Sequence, residues 1–207
     1  MPHFLRTLAT IPVLLLFSNL VLAEEVSWTD IRTLGVEGRG FEKTKSFFDR
    51  LPASAETLVR KAVWSLSEDS AGMSVRFVTS ATTIHARWTL RRSRLAMPHM
   101  AATGVSGVDL YVRDSTSRWR WLACGFPTKT PTNSVKLISG IPAGRREYML
   151  YLPLYNGVTS VELGVLDGAS IARAPSRPDS HRKPILFYGT SITHGACASR
   201  PGMTHPA

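Results

Sequence analysis

Residues 84–90 read Ile-His-Ala-Arg-Trp-Thr-Leu, and their order decides the fold. In an extended chain Ile84, Ala86, Trp88 and Leu90 fall on one side, and His85, Arg87 and Thr89 on the other. A helix would scatter the same residues around its axis. The period of two recurs outward from this stretch. Val108, Leu110 and Val112 alternate with Asp109, Tyr111 and Arg113, and Trp119 and Trp121 flank Arg120. Tyr148, Leu150 and Leu152 form a further set, as do Val161, Leu163 and Val165 around Glu162. Turn-forming residues separate these runs: Gly104 and Gly107, Asp114-Ser115, Pro127 to Asn133, Gly140 to Gly144, and Asn156-Gly157. Short strands with one buried and one wet face predict a mainly β fold, an antiparallel sandwich of jelly-roll type. Asp109 and Tyr111 are then expected on a wet face.

Upstream, Ser54 to Val63 places Leu58 and Ala62 at helical spacing but is too short to decide. Phe47, Phe48 and Trp64 are expected in the core. Trp88, Trp119, Trp121, His85 and His99 could stack on sugars, but alternation assigns Trp88 to the core face.

The N-terminus has the layout of a secretory signal. Arg6 precedes an apolar stretch from Ile11 to Leu22, and Val21 and Ala23 occupy the two positions a signal peptidase inspects. Residues 1–23 are expected to be removed near Ala23, giving a secreted or periplasmic protein with no membrane span after cleavage; an uncleaved anchor is the alternative. The chain has 207 residues, of which 43% are hydrophobic, enough for a core. Its formal net charge is +10, but the cations are scattered and no recognition motif accompanies them, so no nucleic-acid partner is expected. Cys124 and Cys197 are expected as separate thiols. The six His are dispersed and no CxxC or HExxH occurs, so neither a metal nor a cofactor is expected.

Residues 172–184 (ARAPSRPDSHRKP) hold three prolines, basic side chains and no large apolar residue, and read as a linker between a β-sandwich domain (24–171) and a second unit (185–207). That unit opens with Ile185-Leu186-Phe187-Tyr188, a run suited to a strand buried on both faces in an α/β sheet. Gly189 can end the strand with angles other residues avoid. Ser191 follows where the chain would turn into a helix. Its hydroxyl there is either an ordinary N-cap or a nucleophile lifted out of the sheet. His194, three residues on, could share its side of the helix start, but no partner carboxylate is evident. The run is neither G-x-S-x-G nor a phosphate loop.

The stretch PILFYGTSITHGACASRPGMTHPA resembles the first conserved block of the SGNH/GDSL hydrolases, in a variant with Gly-Thr-Ser in place of Gly-Asp-Ser. Upstream, AVWSLSEDSAGMSVRF, IHARWTL, LAMPHMAATGVSGVDLY, RWRWLACG and YLPLYNGV resemble the N-terminal β-domain of one subgroup of these esterases. The resemblance implies an exported serine esterase acting through an acyl-enzyme on small or carbohydrate-linked esters. It makes Ser191 the catalytic nucleophile and its backbone N–H one oxyanion donor. The family's other oxyanion donors, a Gly and an Asn, and its Asp-x-x-His pair belong to later blocks that these residues do not include, so the chain is expected to be a truncated form, inactive alone. The alternative is a non-catalytic β-sandwich module for glycan binding or domain packing. The oligomeric state stays open.

Overall fold

The computed structural model describes residues 25–166, 168–177 and 185–207. The expected signal segment (1–23), and with it the cleavage site, lies outside the described residues, as do residues 178–184 of the expected linker.

Among the described residues ten strands carry the fold: β1 (Val26–Asp30), β2 (Val36–Glu37), β3 (Ser74–Thr79), β4 (Thr83–Leu90), β5 (Val108–Arg113), β6 (Trp119–Gly125), β7 (Thr132–Ser139), β8 (Arg146–Tyr151), β9 (Val158–Leu166) and β10 (Ile171–Arg173). They form two antiparallel sheets. One has the order β1-β9-β4-β7; the other runs β10-β3-β8-β5-β6, with β2 sharing the β3 edge. The pairs β5·β6, β4·β7, β3·β8 and β1·β9 nest inside one another along the chain. Such nesting is one long antiparallel ribbon folded over on itself, which places alternate pairs in opposite sheets, as in a jelly roll.

The alternation read from IHARWTL holds along β4. Ile84, Ala86, Trp88 and Leu90 are buried between the sheets, with Val75, Phe77, Leu110, Tyr148, Leu150, Val161 and Leu163. Trp88 is fully buried, and its indole N–H donates to the carbonyl of Ser106 at 2.9 Å. On the opposite face Arg87 makes two hydrogen bonds to Glu162 of β9 and lies over the Trp28 ring of β1.

Ser54 to Val63 resolves into a 3₁₀ turn (Ala53–Thr57) and a separate helix, α1 (Lys61–Ser67), with Leu58 exposed between them. A one-turn helix, α2 (Ala102–Val105), leads into β5. Cys124 and Cys197 stand as free thiols.

Two expectations are corrected. Residues 185–189 form no strand, and Leu186 and Tyr188 are 85% and 92% exposed. A strand needs a neighbour for its N–H and C=O groups, and none of the described strands pairs with this run. The chain then makes a helical turn, α3 (Ser191–His194), and a 3₁₀ turn (Pro201–Met203). The second correction concerns Asp109, expected to be wet and in fact fully buried. Besides Trp121 of β6, residues 200–202 from outside the sandwich lie across it.

Candidate functional site

Ser191 is the first residue of α3. Thr190 occupies the N-cap position in extended conformation and makes no side-chain cap. The N-cap alternative therefore falls to Thr190, and the Ser191 residue is exposed. Its carbonyl accepts from the backbone N–H groups of Gly195 and Ala196 and from the Tyr155 hydroxyl at 3.2 Å. The turn ends at Gly195, whose φ of +103° strains any residue with a side chain, and whose missing Cβ would lie 2.9 Å from Leu154. Gly189 does not use the unusual angles expected of it. Its role is space: a Cβ there would sit 2.3 Å from the Thr193 hydroxyl oxygen.

His194 does not face Ser191. It is buried against the sandwich, with its ring stacked on Tyr155 at 4.0 Å between centroids and 15° between planes. Nε2 lies 2.5 Å from the Leu154 carbonyl, and Nδ1 lies 3.2 Å from Nη2 of Arg50. Because a guanidinium can only donate, Nδ1 must accept, and the ring proton sits on Nε2, donating to Leu154. Both nitrogens are thus engaged. Burial, reinforced by the positive charge of Arg50, lowers the His194 pKa to about 4, so the ring is neutral at pH 7.

Beneath His194 lies a buried polar network. Arg50 donates to the carbonyls of Asp69 and Leu66. The Asp69 carboxylate accepts from Arg92 and from the N–H of Gly157, and it stands 3.7 Å from Nε2 of His194. Burial raises the Asp69 pKa to about 6, against the opposing pull of Arg92. Arg50, Asp69, Leu154 and Tyr155 were invisible as partners of the Ser191 turn in the sequence. Asp69 opens no periodic run, and the four come from three separate stretches of chain.

The His194 shift carries a pH prediction. A ring whose folded pKa lies below the ordinary 6.5 favours docking while neutral. Its contribution is full above pH 6.5 and is lost as pH falls towards 4, a change on the order of 3 kcal/mol. Asp69 acts in the opposite sense, favouring the fold most at low pH and losing that contribution as pH rises towards 6. In an NMR titration the His194 ring is expected to protonate with a midpoint near 4. A midpoint near 6.5 would mean that the ring is not docked.

A second set of contacts holds the chain further on. Asp109 Oδ2 accepts from the N–H of Gly202 at 2.9 Å, and Asp109 Oδ1 accepts from the indole N–H of Trp121 at 2.9 Å. The Tyr111 hydroxyl donates to the Gly202 carbonyl at 3.2 Å, and Thr103 donates to the Ser199 carbonyl at 2.5 Å. His205, the other histidine of this segment, is exposed, with its ring edge-on to Phe187. Of the residues proposed for sugar stacking, Trp88 is core. Trp121 is 51% exposed, with the Arg200 guanidinium over its ring. Among the described residues no three His, Cys, Asp or Glu side chains converge as a metal site, and no helix is long and apolar enough to cross a membrane.

Comparison with known proteins adds two family matches. Residues 26–171 match the GxDLY family, the N-terminus of SGNH-hydrolase-type esterases, and residues 182–207 match the GDSL-like lipase/acylhydrolase family. Among solved structures, a protein described as a GDSL-like lipase from Bacteroides ovatus ATCC 8483 superimposes with a TM-score of 0.77 at 28% identity. The match covers 88% of this chain and 52% of that one. The salicylyl-acyltransferase SsfX3 of a tetracycline biosynthetic pathway superimposes with a TM-score of 0.50 at 15% identity, over 73% of this chain and 42% of that one, a likeness of fold alone. The chain thus spans about half the length of these structures. No curated protein matches it.

Proposed function

The chain belongs to the SGNH-hydrolase-type esterase family, and on that premise we propose that it supplies the nucleophile-bearing part of an exported serine ester hydrolase. Ser191 attacks the carbonyl of a small or carbohydrate-linked ester, the alcohol leaves, and water then hydrolyses the acyl-enzyme. The observation that carries this reading is the placement of Ser191: exposed, at the head of a helical turn, with its own carbonyl tied to the sandwich through Tyr155. The backbone N–H groups of a first helical turn have no partner within the helix, which leaves the Ser191 N–H free to stabilise charge on a tetrahedral oxygen.

A serine hydroxyl is a weak nucleophile without a base in hydrogen-bond reach. His194 is not that base, because its two nitrogens serve Leu154 and Arg50. The base, its orienting carboxylate and the remaining oxyanion donors are assigned to the later blocks of the family. Residues 1–207 alone and their Ser191→Ala variant are therefore expected to hydrolyse p-nitrophenyl acetate at the same background rate. A protein that carries this chain together with those blocks is expected to show turnover that needs Ser191. A clear difference between the two short proteins would reveal a base within residues 1–207.

A further inference from the structure

We propose that the segment Gly107-Val108-Asp109-Leu110-Tyr111 is a positioning clamp through which the β-sandwich fixes the loop carrying Ser191, with Asp109 and Tyr111 gripping Gly202 by its N–H and its C=O. The proposal takes Ser191 as the nucleophile for its catalytic consequence, and stands on the contacts alone for its geometry.

Asp109 lies on the outer face of β5, where alternation leaves a side chain to solvent, yet it is fully buried. A buried carboxylate destabilises a fold unless hydrogen bonds and opposite charge replace its water. Within the sandwich Asp109 receives the Trp121 indole N–H, with the Tyr111 hydroxyl close by. Everything else comes from the far end of the chain: the Gly202 N–H at 2.9 Å, and Arg200, whose Nε stands 3.3 Å from Oδ2 as a charge contact and whose guanidinium lies over Trp121. The cost of placing a charge here falls on the sandwich, while the contacts that offset it order the loop. An apolar residue would serve the sandwich better. A carboxylate makes sense where it must recognise a peptide N–H.

The rest of the segment fits the same task. The Tyr111 hydroxyl holds the Gly202 carbonyl, so one residue is gripped through its N–H and its C=O, in the two peptide units that flank its Cα. Only glycine fits there, since a Cβ at position 202 would lie 2.4 Å from the Tyr111 ring. The chain also presses against α2: a Cβ on Gly104 would lie 2.2 Å from the Ala198 carbonyl oxygen. With His194 seated on Leu154, Tyr155 and Arg50, the sandwich grips the loop at two places, one in the turn of Ser191 itself and one beyond it. Positioning of this kind matters because a displacement of about 1 Å at a nucleophile can cost about 10²-fold in rate.

The test uses the 207-residue chain and needs no turnover. In Asp109→Asn the amide oxygen can serve Gly202 or Trp121 but offers no charge to Arg200. Amide hydrogen exchange, followed by NMR, is expected to quicken about tenfold or more at Gly202, with Val75 and Leu150 in β3 and β8 keeping their protection. Gly202→Ala breaks the clamp from the loop side, since its Cβ collides with the Tyr111 side chain, and is expected to raise the mobility of residues 196–204 while the amides of β3 and β8 stay unchanged. Unaltered exchange at Gly202 in Asp109→Asn, or equal losses at Gly202, Val75 and Leu150, would overturn the clamp. Unaltered loop mobility in Gly202→Ala would overturn it too. In a protein that also carries the later hydrolase blocks, Asp109→Asn should lower kcat with KM little changed, and an unchanged kcat would contradict the positioning role. Should Ser191 prove not to be the nucleophile, the exchange results would stand, so the two readings fail separately.

Discussion

Trp88→Ala is expected to destabilise the sandwich by about 3–5 kcal/mol, the range for deleting a large buried aromatic. Most domains of this size have only about 5–15 kcal/mol to lose. The side chain is fully enclosed by both sheets, so its removal leaves a cavity that the β4 neighbours cannot close. It also orphans the Ser106 carbonyl, which takes the indole N–H. Ser106 closes α2, and the backbone of α2 in turn accepts the N–H groups of Leu154 and Tyr155, at Gly104 and Val105. Leu154 and Tyr155 hold His194. A change in the middle of β4 therefore reaches the turn of Ser191 through hydrogen-bonded backbone. Urea denaturation should show a much lower midpoint for Trp88→Ala. Trp88→Phe, which keeps most of the volume and loses the hydrogen bond, should fall between the two. A midpoint equal to that of the wild type would mean that Trp88 is not where β4 places it.

Much of this architecture was legible because a sandwich strand advertises itself. In β4, β5, β8 and β9 one face is apolar and the other is not, and period two is the direct record of that asymmetry, whereas in β6 the Trp119/Trp121 alternation misleads, because Trp121 lies half exposed on the outer face beside Asp109. β7 was hidden for a physical reason. It begins inside a stretch rich in turn residues, and Asn133, read as part of that break, is a buried strand residue. Its side chain closes the preceding loop by accepting from Thr128 and Lys129. β1 and β10 are short edge strands, where pairing rather than pattern defines the element.

The site was legible only in part. Ser191 stood out through its place after an apolar run and a glycine. Asp109 was misread because alternation reports which side of a strand a residue occupies, not what later covers that side. The partners of His194 could not be seen because Arg50 and Leu154 meet only when the ribbon folds over, and contacts between residues 40 to 144 positions apart leave no local signature. Ile185 to Tyr188 shows the converse. Its composition suits a buried strand, but strand geometry is a property of pairs, and no described strand lies beside it.

Ser191→Ala is expected to have the largest effect on chemistry. In a protein that carries this chain with the later hydrolase blocks, the substitution removes the only atom proposed to bond to the acyl group. Replacing a nucleophile leaves oxyanion stabilisation and binding in place, and those account for a small residue of the original rate. The loss should be at least about 10³-fold in kcat. Folding should be untouched, because the exposed hydroxyl supports neither the cap nor the contacts of α3. The measurement that decides the matter is the rate of p-nitrophenyl acetate hydrolysis by that protein and its Ser191→Ala variant, side by side. The nucleophile assignment predicts that turnover collapses with the hydroxyl; equal rates in the two proteins would contradict it.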